Sequence, residues 1–180
     1  AALIREREHG TIEHLLVMPV TPLEIMMAKV WANGLVVLVA VGLSMSLVVR
    51  GLLGVPVGGS LALFLAGTAL YLFFGTALGI YLATLARSLP QFGLLFIMVL
   101  LPMSLLSGGS TPIESQPEWL QIAMQAVPST HFVAFSQAIL YRGAGLDIVW
   151  PRFLVVAGIG GLFMALTLAR FRSSIASMRG

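Results

Sequence analysis

An all-α bundle of membrane helices is the fold class this sequence predicts, and three observations predict it. Hydrophobic residues make up 58% of the 180 positions and charged residues only 9%, against roughly 25% charge in an ordinary soluble domain. The mean hydropathy of +1.00 is more apolar surface than one core of this size can hide, because a soluble fold keeps a polar exterior. Finally, the apolar residues fall into four uncharged runs, each close to the roughly 20 residues a membrane-crossing helix needs.

The first run is Val30 to Val49, fenced by Lys29 and Arg50. The second is Leu61 to Leu85, ending before Arg87, and the third is Leu89 to Gly108. Only Ala86, Arg87 and Ser88 separate these two, which makes them an antiparallel hairpin. The fourth is Phe153 to Ala169, between Arg152 and Arg170, at the short end of what can cross. The chain thus divides into a cytoplasmic segment over 1–29, three spans within 30–109, an outer loop over 110–152, and a last span with its tail over 153–180. Four spans put both ends on one side. A cytoplasmic N-terminal segment places Arg5, Arg7, Lys29, Arg87, Arg170, Arg172 and Arg179 inside and Arg50, Arg142 and Arg152 outside, the bias expected of cytoplasmic loops.

No Asp, Glu, Lys, Arg or His lies in these four runs. That disfavours ion-gradient carriers and channels, which need ionisable groups at membrane depth, though broken helices could supply carbonyls instead. In the second run Gly67, Gly75, Gly79 and Ala83 share one helical row, and Gly75 with Gly79 makes a G-x-x-x-G pair. Small residues let backbones approach, so the row is expected to be a packing seam, within the chain or across a dimer, with a ligand groove as the other reading. Pro102 lies inside the third run, where a helix must kink or be compensated. "LPMSLLSGGSTP" then reads as a helix that breaks near the outer surface at Gly108 and Gly109.

Four of the seven carboxylates, Glu6, Glu8, Glu13 and Glu24, precede the first run. Gly10 interrupts a helix under way from Ala1, which is the expectation for a piece of a longer protein. Thr11 caps a two-turn stub with Ile12, Leu15 and Leu16 on one face, and Pro19 ends it. Thr21, Pro22 and Glu24 form a capping box that opens the next helix. The result is a stub between two rods. An anionic leaflet repels carboxylates, so Glu8 and Glu13 fit docking on a protein better than resting on lipid.

Other chemistry is excluded more directly. The only lysine is Lys29, preceded by Ala28, so a G-x-x-x-x-G-K-[ST] phosphate loop is impossible within these residues. "HGTIEH" has one residue too many for the H-x-x-E-H zinc pattern, and His9 and His14 would stand about 140° apart on a helix. Ser107 or Ser110 with His131 lacks a third group to orient the imidazole. With no cysteine there is neither disulfide nor thiolate site. The scattered basic residues make no nucleic-acid stripe. The chain is read as non-enzymatic.

At this point "REREHGTIEHLLVMPVTPLEIMMAK" resembles the cytoplasmic coupling segment of ABC-2 type transporter permeases, through Glu6, Glu8, Gly10, Thr11, Glu13, Leu15, Leu16, Pro19 and Glu24. "LPMSLLSGGSTPIESQPEWLQ" resembles the family's segment at the outer end of the fifth of six spans, through Pro102, Leu106, Ser107, Gly108, Pro112, Ile113, Pro117 and Trp119. The resemblance implies a dimeric exporter subunit, paired with a second permease copy or a homologue. Its coupling helix, Thr11 to Met18, docks on an ABC ATP-binding subunit. ATP and Mg sit on that partner and no cofactor on this chain. The implied location is the inner membrane, with lipid around the spans, both ends of the segment cytoplasmic, and a periplasmic adaptor as a further possible partner. About half of the permease would precede Ala1. Pro102, Ser107, Gly108, Pro112 and Pro117 would form an outer gate. The ion-gradient carrier or channel, and a passive anchoring module, are the competing classes.

In the outer loop, a short helix is expected to begin after Ser115 or Gln116 and to end at Pro128. Ser129 or Thr130 would cap a second one, carrying Phe132, Phe135, Ile139 and Leu140 on one face. The resemblance makes these re-entrant or surface helices. Trp119, Tyr141 and Trp150 are expected in the aromatic interface belt.

Overall fold

The computed structural model describes residues 22–109 and 111–176, and all of their regular structure is helical. Helix α1 is Pro22–Leu43, with Pro22 at the first position, where its missing N–H costs nothing. Thr21, its expected cap, lies outside the described residues. α1 continues into a π-helical segment, Ser44–Leu52, so the first apolar crossing runs from Val30 to Leu52 and contains Arg50. α2 is Leu61–Leu85, capped by Ser60, whose Oγ accepts from Leu63 N at 3.3 Å. α3 is Leu89–Leu106. The turn between α2 and α3 is the expected three residues: Ser88 Oγ accepts from Gln91 N at 3.4 Å, and Arg87 N donates to Gln91 Oε1 at 2.8 Å.

A single 3₁₀ turn, Ile113–Ser115, leads to α4, Glu118–Met124, and then to α5, Pro128–Arg142. Two expectations are corrected here. α4 starts at Glu118, after Pro117, rather than directly after Ser115 or Gln116. Pro128 does not end a helix but begins one: it is the first residue of α5, and Val127 precedes it with no side-chain cap. Proline is pre-organised for that position, which frees Ser129 and Thr130 to be buried instead. α6, Leu146–Ala176, is much longer than Phe153 to Ala169, and its crossing segment is Leu146–Arg170. Arg50, Asp147 and Arg152 therefore lie on membrane helices after all. They occupy outer turns, where a charged end can reach the headgroups.

The core is built by α2, α5 and α6. Phe64, Phe74, Leu78, Leu82, Phe135, Ile139, Val149 and Val156 are buried together. A smaller cluster of Ala77, Ile80 and Met164 is flanked by Met27 and Val30 of α1. In lipid, apolar surface alone does not drive helices together, so close van der Waals fit has to. Two glycines supply it. A Cβ on Gly67 would collide with the Phe135 ring and stand 2.9 Å from Phe153 Cζ. One on Gly160 would stand 2.9 Å from Phe73 Cδ1 and 3.2 Å from Phe74 Cα. The rings that fill this space meet edge to face, Phe135 on Phe153 at 4.8 Å and Tyr81 on Phe163 at 5.4 Å. By contrast, no residue in the crossing segments of α1 or α3 is buried.

Candidate outer gate and groove

The candidate coupling residues Glu6, Glu8, Gly10, Thr11, Glu13, Leu15, Leu16 and Pro19 lie outside the described residues. The candidate gate residues are described, and the fold brings them together around the end of α3. That helix runs on through Pro102, and its last turns recover carbonyls with hydroxyls: Ser104 Oγ donates to Leu101 O at 2.9 Å and Ser107 Oγ to Ser104 O at 3.0 Å. Ser107 is buried. At Gly108 the backbone turns left-handed, φ +92°, and Ile113 side-chain carbons stand 3.0 Å from where a Cβ would be. Both facts call for glycine. Pro112 O then accepts from Ser115 N at 3.2 Å and Ser115 Oγ at 2.7 Å, and Pro117 O accepts from Leu120 N at 2.9 Å. The prolines thus sit at the two corners of the chain between α3 and α4.

The residue that joins these corners is Gln116, which the sequence did not single out. It is buried, and its Nε2 donates to Leu106 O, the last turn of α3, at 3.0 Å. Its own carbonyl accepts from Gln121 Nε2 of α4 at 2.8 Å. This one residue, through its side-chain amide and its backbone carbonyl, therefore ties the end of α3 to α4. Its Oε1 is buried without a partner, a costly arrangement in dry surroundings. A glutamine between two prolines' corners is a faint local signal, since glutamines are mostly solvated.

α5 gives the outer region its shape. Gly58 N donates to Leu140 O at 2.8 Å, Gly67 packs on Phe135, Tyr71 stacks on Phe132 at 4.3 Å, and Tyr71 Oη lies 3.1 Å from Ser129 Oγ. α5 therefore runs antiparallel beside the outer half of α2. Tyr71 is ten residues past Leu61, about 15 Å down the helix at 1.5 Å per residue, near the middle of a hydrocarbon layer about 30 Å thick. The amino end of α5 thus packs beside the middle of α2, a helix long enough to cross the membrane, and brings His131 with it. Its Nε2 lies 2.7 Å from Gln125 O across the turn between α4 and α5. His131 lies outside the four apolar crossings, in the segment the sequence assigns to the outer loop. Trp119, Tyr141 and Trp150 are all exposed on the outside of the bundle.

Gly75 and Gly79 are not where α2 packs within this chain: no atom lies within 4 Å of a Cβ built on either. The seam inside the chain falls at Gly67 and Gly160 instead. Gly75 and Gly79 face a cavity of about 380 Å³ between α1, α2 and α3, lined also by Asn33, Ala83, Phe92 and Phe96.

Four apolar crossings and a groove at a G-x-x-x-G pair define a polytopic helical membrane protein. Residues 1–141 match the family model described as ABC-2 type transporter, and the chain belongs to that family. It is 62% identical over 178 residues to the inner membrane transport permease YhhJ of Escherichia coli K12, covering 99% of this chain and 48% of that protein. It is 30% identical over 169 residues to the probable multidrug ABC transporter permease YbhR of the same organism, covering 92% of this chain and 46% of that one. The chain spans about half the length of the curated relatives it matches. No solved structure matches it significantly.

Proposed function

We propose that the chain is the C-terminal part of the membrane-spanning subunit of an ATP-driven exporter. In this reading a separate ABC ATPase, holding ATP and Mg, presses on Thr11 to Met18, and the push enters α1. The observation that carries the reading is the family match over residues 1–141, which takes in the acidic stub and the first three spans, joined by a helix that starts at Pro22 and runs on into the first apolar crossing. The lack of a phosphate loop in these residues supports placing hydrolysis on a partner. The relatives' names, transport permease and multidrug ABC transporter permease, support a transport role. The location is the inner membrane, with both ends of the segment cytoplasmic. The working unit is a dimer with a second copy or a homologue, and a periplasmic adaptor is a further partner.

The test uses the full-length permease reconstituted with its ATPase. Glu13→Lys, or Gly10→Ala with Pro19→Ala, is expected to lower coupled ATP hydrolysis at least about tenfold, the range of one lost charge pair at an interface, while membrane insertion stays intact. Unchanged coupling overturns the reading. One observation bears on the ion-gradient alternative, namely His131, an ionisable group on the end of α5 that packs beside the middle of α2. His131→Asn separates the two: a proton-cycling carrier stops, whereas the ATP-driven exporter continues.

A further inference from the structure

The amino end of α5 gathers hydrogen-bond donors that the chain itself does not use. Ser129 and Thr130 are each more than nine-tenths buried, at 4% and 8% exposure, although both sit in the first turn of a helix of 15 residues. Pro128 has no N–H, and Thr130 N donates to Val127 O at 3.1 Å. Ser129 N–H has no acceptor within the helix, as at any second position, and Val127 supplies no side-chain cap. Thr130 Oγ1 is enclosed without a hydrogen-bond partner. Ser129 Oγ and Tyr71 Oη lie 3.1 Å apart; one hydroxyl donates to the other, and the second proton of the pair is left over.

Other hydroxyls of the bundle are satisfied within their own helices. Thr68, Thr76, Ser104 and Thr167 each donate to a carbonyl three or four residues back, at 2.9, 2.8, 2.9 and 2.7 Å. Thr130 has no such helical carbonyl, because α5 begins only two residues before it. A buried donor without an acceptor costs stability. Several of them at the positive end of a helix dipole suit one kind of group, an oxygen that carries negative charge. No Asp or Glu stands between Glu118 and Asp147 to provide it. His131 Nε2 is committed to Gln125 O at 2.7 Å, closing the turn to α4. Beside the donors the surroundings are aromatic: Tyr71 stacks on Phe132 at 4.3 Å, and Phe132 meets Phe135 edge to face at 5.3 Å.

We propose that Ser129, Thr130 and Tyr71 bind the carboxylate of an amphiphilic acid, whose apolar body lies along Tyr71 and Phe132. The site opens at the turn before α5, where Gln125 and Ala126 are exposed. The acid is a cargo class for the exporter, which rests on that reading. Binding is measured without ATP, so a failed Glu13→Lys test leaves the site standing, and failure of the site leaves the coupling standing.

The test places the full-length permease with its ATPase in phosphatidylcholine nanodiscs. The probes are a dansyl-labelled undecanoic acid and its methyl ester, with empty nanodiscs as the reference. The acid is expected to bind at least about tenfold more tightly than the ester, the range of a hydrogen bond to a charged group. Thr130→Val with Tyr71→Phe, which keeps shape and removes two hydroxyls, is expected to weaken the acid at least about tenfold and the ester less than about twofold. An ester that binds as well as the acid overturns the proposal. So does an acid whose affinity the double variant leaves unchanged, the outcome of binding elsewhere, as at an outer arginine. Thermal unfolding reads a purely structural role: removal of the enclosed Thr130 hydroxyl then raises the melting temperature with acid binding unaltered, which also overturns it. Should the double variant not fold, Thr130→Val alone reads the same loss.

Discussion

Gly67 and Gly75 lie on the same row of one helix, yet the structure gives them opposite duties. At Gly67 a methyl group has no room, since Phe135 and Phe153 already occupy it. Gly67→Ala is therefore expected to destabilise the bundle by about 1–3 kcal/mol, the usual cost of overpacking a fitted core. At Gly75 nothing is within reach. Gly75→Ala is expected to be neutral or to stabilise by up to about 1 kcal/mol, because it removes a glycine from a helix interior. Thermal unfolding of the two variants in detergent checks this, and equal effects would place the seam elsewhere. The spacing that selected Gly75 and Gly79 was real, but a helical row says only that small residues share a face.

At the scale of elements, the outer loop holds the chief surprise. Its helices were legible from Pro117, Pro128 and the spacing of Phe132, Phe135 and Ile139, but proline's place was read backwards. A proline ends the helix before it and equally well begins the helix after it, and no local pattern decides between the two. Nor does local pattern give depth. α5 has charge only at its Arg142 end, and it dips because Phe135 and Tyr71 find partners inside. A spin label at Ala126→Cys, exposed at the base of the pair, is expected to lie at least about 10 Å deeper than one at Tyr141→Cys, given the rise along α5. Power-saturation depth measurements in bilayers check it. Equal depths would make α4 and α5 surface helices.

For the whole molecule, the four crossings place the turn at Arg87 and Ser88 on one side and the loop from Ser107 to Gly145 on the other. With seven of ten basic residues on the N-terminal side, that side is expected to be the cytoplasm. Ser88→Cys is thus expected to react with an impermeant maleimide only after cells are permeabilised, and Tyr141→Cys, 77% exposed, in intact cells. The opposite pattern inverts the topology. The bare faces of α1 and α3 suit lipid, the rest of a longer permease and a second copy alike, and the groove at Gly75 and Gly79 lies between those two helices.

By itself the sequence determined where the chain crosses the membrane and where it bends, since a charge in hydrocarbon and a proline in a helix carry their cost locally, whatever else is nearby. It placed the turn of the α2 and α3 hairpin to the residue, and it singled out Pro102, Gly108, Pro112 and Pro117, which the fold brings together around the end of α3. The tertiary structure alone decided which glycines pack, that α5 runs antiparallel beside the outer half of α2, that Gln116 ties α3 to α4, and that the linker at Gly58 and Gly59 packs on α5. Each of these depends on a partner tens of residues away, and lipid, being as apolar as the side chains themselves, leaves close fit between distant surfaces to make the choice.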